Sequence, residues 1–141
     1  MKSIINIGTD LHKLSRFTEI LKRNGPLSAF KTKRFSERVL NKTHEMPLFE
    51  KYISMNDIEN CSKILSVSWC VKESIYKTLD DADQTNFKMS DWYKINDERG
   101  RPIIGNENYK LLHPNEEFIC SISHDGGLIT SFIIRQSMCN V

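Results

Sequence analysis

Apolar and polar positions change period along this chain, and the changes mark its elements. Residues 3–7 are short and β-branched, which predicts a strand turning at Gly8-Thr9-Asp10. Beyond Asp10, apolar residues recur at Leu11, Leu14, Phe17, Ile20 and Leu21. That spacing predicts a helix with Asp10 as its cap, stopped by Asn24-Gly25-Pro26. Residues 29–42 mix Phe30, Phe35, Val39 and Leu40 with basic residues and do not resolve into one period. A short helix is expected over residues 46–52. A longer one, over residues 55–79, is capped by Asn56 or Asp57 and carries Ile58, Cys61, Leu65, Trp69, Ile75, Tyr76 and Leu79 as its apolar stripe. The polar run 80–84 ends it. The last third shifts to period two. Residues 89–96 read as a strand, 98–102 as a turn, and Ile103-Ile104 as a return strand. Residues 118–124 and 128–135 form a hairpin about Asp125-Gly126-Gly127. Strand, helices, then strands predict an α+β fold in which an antiparallel sheet packs on a long helix.

Composition narrows the function. The 141 residues suit a single domain over 1–141. Lys and Arg number 20 against 18 Asp and Glu, a net charge of +2, too small to argue for nucleic acid by total charge. No run reaches the ~18 apolar residues of a membrane span. The four cysteines, Cys61, Cys70, Cys120 and Cys139, show no C-x-x-C or zinc spacing. They are expected to be reduced in an intracellular protein. The Asn-x-Ser/Thr triplets at Asn41 and Asn60 then carry no glycan. The N-terminal residues resemble neither a signal peptide nor a transit peptide.

Phosphate-loop, dinucleotide, zinc-protease and hydrolase motifs are all absent, leaving three polar clusters. In Gly8-Thr9-Asp10, the acid is either a helix cap, the simpler reading, or a ligand for a hard cation at a sheet edge. In residues 71–77, Glu73 and Lys77 share a helix face, as a plain i, i+4 ion pair or as a partly buried functional one. In residues 121–127, His124 stands at a strand end beside a glycine turn, either solvated or placed for a phosphate or a proton.

Taken in order, these clusters resemble one family. The blocks are Ile7-Gly8-Thr9-Asp10-Leu11 with Ser15-Arg16-Phe17, residues 33–40, residues 69–79, Gly100-Arg101-Pro102, and Ser121-Ile122-Ser123-His124. Their order and spacing look like holo-acyl-carrier-protein synthase, the short type of 4′-phosphopantetheinyl transferase. Trp69-x-x-Lys72-Glu73 and Ser121-Ile122-Ser123-His124-Asp125 look most like the fungal members. The resemblance implies transfer of the phosphopantetheine arm of coenzyme A to a serine of an acyl carrier protein, leaving 3′,5′-ADP. It implies that Asp10 and Glu73 bind Mg²⁺ and that Lys77 stands near the phosphates, these three being the catalytic set. Ser123 and His124 would meet the adenosine end and its 3′-phosphate. Arg16, Lys33, Arg34 and Arg38 would face the acidic carrier protein, whose charge such a stripe would steer. By the same resemblance the chain would be mitochondrial, otherwise cytoplasmic, and the bacterial homotrimer is the oligomer to test.

The chain also departs from the family. Ser68 stands where many bacterial members carry arginine, and Leu79-Asp80-Asp81-Ala82 replaces a Gly-Thr-Gly phosphate turn. The segment 24–32 is longer than the usual bacterial connection. These departures suit an alternative, an inactive homologue that binds a carrier protein or an anionic ligand. Retention of both Asp10 and Glu73 argues for the enzyme. A purely structural domain would leave the order of five clusters unexplained.

Overall fold

A computed structural model describes residues 1–138; Cys139 lies outside them. Strand β1 (Lys2–Lys13) and the hairpin β4 (Glu116–Asp125) and β5 (Leu128–Met138) form a three-stranded antiparallel sheet with β5 in the middle. Helices α1 (Leu14–Arg23), α2 (Phe30–Val39), α3 (Met46–Ser54) and α4 (Ile58–Tyr76) follow β1. Short α5 (Asp81–Thr85) and a 3₁₀ turn lead to a small hairpin, β2 (Tyr93–Asn96) and β3 (Pro102–Gly105). Helix α6 (Glu107–Leu112) enters the final hairpin. The α+β expectation holds: α4 lies across one face of the sheet, against β1 and β5.

The largest correction is at the start. β1 does not turn at Gly8 but runs twelve residues, paired with β5 from Lys2↔Met138 to Lys13↔Leu128. Gly8 serves a different need: a Cβ there would collide with the Ser74 carbonyl oxygen of α4. Glycine lets strand and helix backbones approach closely. Helix α1 therefore begins at Leu14, with Lys13 at its N-cap, and Asp10 caps nothing. Leu11, assigned to the helix by its spacing, lies on the strand and is exposed.

Helix α4 stands where a long helix is expected, three residues shorter at each end than 55–79. Asp57 caps it by accepting a hydrogen bond from the Asn60 N–H, and its stripe feeds two apolar clusters. One joins Phe17, Leu21, Leu40, Phe49 and Leu65; the other joins Val71, Ile75, Trp92 and Ile133. The polar run follows the end of α4, as expected, and itself forms a new short helix. Residues 89–91 are a 3₁₀ turn instead of strand, and the helix capped by Asn106 was not anticipated. Cys61 and Cys70 are buried free thiols and Cys120 is a half-buried one. Among the described residues no helix is long and apolar enough to cross a membrane.

One buried ion pair ties the helical layer together. Lys72 on α4 is fully buried; its Nζ donates to the Val39 carbonyl and to Glu45 Oε1, both at 2.5 Å. Glu45 also accepts from the Asn41 N–H, the Ser68 hydroxyl and the Lys94 N–H. Burial pulls the Lys72 ammonium below its usual range, and Glu45 opposes that shift.

Candidate functional site

The contact between β1 and α4 brings Asp10 and Lys77 together, with Glu73 one turn before Lys77 on the helix. Strand alternation turns Gly8, Asp10 and His12 toward the helix, in register with buried Ile133, Ser131 and Ile129 of β5. The Asp10 carbonyl accepts from Thr130 Oγ1 at 2.9 Å and lies 3.4 Å from the Cys70 thiol. Burial pushes that thiol up, so Cys70 stays a protonated donor and not a nucleophile. Ser74 and Ser131 complete the buried polar seam between helix and sheet.

The Asp10 carboxylate projects beside the last turn of α4. Lys77 Nζ donates to the Thr9 carbonyl at 2.8 Å and stands 3.4 Å from Asp10 Oδ1. The plain Glu73–Lys77 ion pair therefore does not form; Lys77 reaches across to β1 instead. Glu73 lies three residues after Cys70 and four before Lys77, on the helix side that faces Asp10. It is half-buried, and among the described residues its carboxylate has no hydrogen-bond or ion-pair partner.

The remaining candidates lie elsewhere. His124, one residue before the end of β4, lies in the row His12–Ile129–His124, two strands from His12 on the α4 face. It lines a cleft of about 1040 Å³ with Lys63, Lys94, Gly100, Arg101 and Gly127. No internal partner engages its ring among the described residues. Ser123 falls in the adjacent row with Thr130 and Leu11, so it points to the opposite face, and the two residues do not converge. On α2, Lys33, Arg34 and Arg38 are exposed, and Arg34 lies over the Phe30 ring. Arg16 on α1 is exposed but reaches back to His12, 3.5 Å away.

Comparison with known proteins decides the family. Residues 6–132 match the 4′-phosphopantetheinyl transferase superfamily. The chain belongs to that superfamily. A holo-[acyl-carrier-protein] synthase from Mycoplasma mobile is 32% identical over 136 residues, covering 96% of this chain and 94% of its own. A Plasmodium yoelii acyl carrier protein synthase with ADP bound superposes with a TM-score of 0.76 at 23% identity, covering 99% of each chain. A Bacillus anthracis holo-(acyl-carrier-protein) synthase in complex with CoA (3′,5′-ADP) gives 0.69 at 20% identity, over 95% of this chain and 97% of its own. At those identities the two structures establish the fold.

Membership makes the departures informative. The acidic turn after Leu79 is committed within this superfamily member: Arg135 holds Asp80 through both oxygens at 3.2 Å, together with Glu116 and the Thr78 carbonyl. That pairing holds the Asp80 carboxyl below its usual range. Ser68, in the place of an arginine, donates to Glu45 inside the helical layer. The donor set also fits a hard cation of modest coordination. Asp10 and Glu73 are carboxylates on two elements in contact, β1 and α4, and among the described residues Glu73 has no partner and no group of three His, Cys, Asp or Glu forms a protein-only cage. Mg²⁺ keeps waters and substrate phosphates as its other ligands, so two carboxylates suffice.

Sequence reasoning missed His12. Its Nε2 lies 2.6 Å from Asp10 Oδ2, and its ring packs edge-on to Phe17 and Trp69. Period-two spacing from Asp10 would have found it, had β1 been read past Gly8.

Proposed function

We propose that this chain transfers the 4′-phosphopantetheine arm of coenzyme A to a serine of an apo acyl carrier protein, giving holo carrier protein and 3′,5′-ADP. The observation that carries the reading is superfamily membership along nearly the whole chain, at the identity and coverage shared with the Mycoplasma synthase. In the reaction the serine oxygen bonds to the phosphorus bearing the pantetheine arm. The bond from that phosphorus to the bridging oxygen breaks, and 3′,5′-ADP leaves with the electron pair while the serine proton is released.

Asp10 and Glu73 would hold Mg²⁺, which when bound neutralises charge on the pyrophosphate. Lys77 is half exposed on a flexible stem, so its ammonium can leave Asp10 Oδ1 for a phosphate oxygen. In the cleft, His124 can offer a ring N–H to the 3′-phosphate, beside the positive charges of Lys63, Lys94 and Arg101. The α2 face with Lys33, Arg34 and Arg38, together with Arg16, would steer the acidic carrier protein. Incubating an apo carrier protein with coenzyme A, Mg²⁺ and the chain should add the mass of one phosphopantetheine. A chelator should stop the addition. No adduct with folded wild type would leave only a binding module.

Two further assignments belong to this reading. The sheet face away from α4 exposes Ile7, Leu11, Ile119 and Phe132, which supports a homotrimer built on that face. There Ser123 would contribute to a neighbouring subunit's nucleotide. Sedimentation velocity should show a trimer that Phe132→Glu dissociates; a monomeric wild type at assay concentration removes the assignment. The fungal-like blocks assign the chain to the mitochondrial carrier protein, and a C-terminally tagged chain seen only in the cytosol would reverse that.

A further inference from the structure

We propose that His12 is a positioning residue for Asp10, fixing the carboxylate that meets the metal; the inference rests on the metal reading above. Asp10 and His12 are two apart on β1, so they share the face turned toward α4. The His12 ring is held edge-on to Phe17 and to Trp69, with centroids 6.0 and 6.4 Å away. Its side chain is only 13% exposed. The ring is therefore set by packing, independently of Asp10.

Both ring nitrogens have defined neighbours. Nδ1 lies 3.5 Å from Arg16 Nη1, and Nε2 lies 2.6 Å from Asp10 Oδ2. A guanidinium can only donate, so Nδ1 accepts. The ring proton then resides on Nε2 and is donated to the carboxylate. Oδ2 is thus held by a packed, nearly buried ring, while Oδ1 faces a half-exposed lysine on a mobile stem. The two oxygens are inequivalent: Oδ2 stays with His12, and Oδ1 is the one Lys77 can release to a cation. Hydrogen bonds of this kind to ligating carboxylates orient them, and losing one typically lowers metal affinity about 10–100-fold. Arg16 gains a second role here, as the group that selects the His12 tautomer.

The test titrates Mg²⁺ calorimetrically into the full chain saturated with coenzyme A, with Asp10→Ala as reference. Thermal unfolding of every variant is followed in parallel. His12→Ala should weaken Mg²⁺ binding by about 10–100-fold. His12→Gln, whose amide can donate an N–H from a similar reach, should recover most of that loss even where both variants lose equal thermal stability. Packing alone would not separate the two. In the wild type, ¹⁵N shifts of the His12 ring should report the Nε2–H tautomer. Wild-type affinity in His12→Ala, no recovery in His12→Gln, or an Nδ1–H tautomer would each overturn the inference while Asp10→Ala still loses the metal. If Asp10→Ala binds Mg²⁺ as wild type does, the metal reading of Asp10 falls and this inference falls with it.

Discussion

Lys72 in helix α4 and Lys77 at its C-cap stand five residues apart, and both meet a carboxylate from another element. Lys72 and Glu45 are 0% and 7% exposed, and every polar atom around them is matched by a donor or acceptor of the fold. Lys77 and Asp10 are 48% and 16% exposed, at 3.4 Å, and Glu73, between the two lysines in sequence, has no partner among the described residues. One pair is closed on itself; the other is loose and incomplete. A buried charge must be fully satisfied or the fold loses stability, so the closed pair is structural. Charges left loose between strand and helix are free to respond to a ligand, as the proposed binding of a cation and phosphates would require.

Breaking the closed pair should have the largest effect. Lys72→Ala leaves Glu45 buried and charged, and should cost about 3–5 kcal/mol of folding stability, read by urea unfolding. Pairing Lys72→Met with Glu45→Gln removes both charges, and the single amide oxygen can still accept from the Lys94 N–H and the Ser68 hydroxyl, though no longer from Asn41, so part of the loss should return. A double variant no more stable than Lys72→Ala would mean that the pair matters for packing and not for charge. At the loose site the balance reverses. Glu73→Ala should abolish transfer while changing stability by no more than about 1 kcal/mol, because its carboxylate holds nothing in the fold. Asp10→Ala should abolish transfer too, with a somewhat larger stability loss from freeing His12. Near wild-type transfer by either folded variant removes the metal assignment.

The same contrast explains what could be read from the chain. The long helix, its Asp57 cap and the final hairpin follow from local periodicity and turn chemistry, and all three stand in the structure. The end of β1 is not legible locally, because Gly8 has the look of a turn signal while its cause is the Ser74 carbonyl opposite. That contact is non-local, and no local pattern encodes it. Misreading β1 hid His12 and turned Asp10 into a cap. The partner of Lys77 was lost for a similar reason. Helical spacing offers Glu73 four residues away, whereas tertiary structure offers Thr9 and Asp10 from a strand 68 and 67 residues earlier. Likewise the acidic run after Leu79 reads as a lost phosphate turn until Arg135 is seen holding Asp80.

Lys77 sharpens the comparison from the loose side. Its loss should weaken coenzyme A binding several-fold in a calorimetric titration and lower stability by under about 1 kcal/mol, since a half-exposed ion pair contributes little to folding. Unchanged affinity would make it a tether of β1 alone.

The smallest effect should come from charges that neither pair holds. Arg34 and Arg38 lie one turn apart on the exposed face of α2, and Arg34 rests on the Phe30 ring. Neither carries a salt bridge to an acid among the described residues, so reversing one should not disturb the fold. Arg34→Glu should raise the KM for carrier protein a few-fold and leave the KM for coenzyme A nearly unchanged, because in the proposed reading only the protein partner meets this face. The rise should shrink with added salt, since steering between exposed charges is screened over ~8–10 Å at moderate ionic strength. Arg16→Glu offers the contrast: through His12 it touches the Asp10 carboxylate, so its effect should persist in salt and extend to metal affinity. Equal, salt-sensitive effects of both variants on carrier protein alone would make Arg16 a docking residue and nothing more. No effect of Arg34→Glu on either KM would return the α2 face to plain solvated surface.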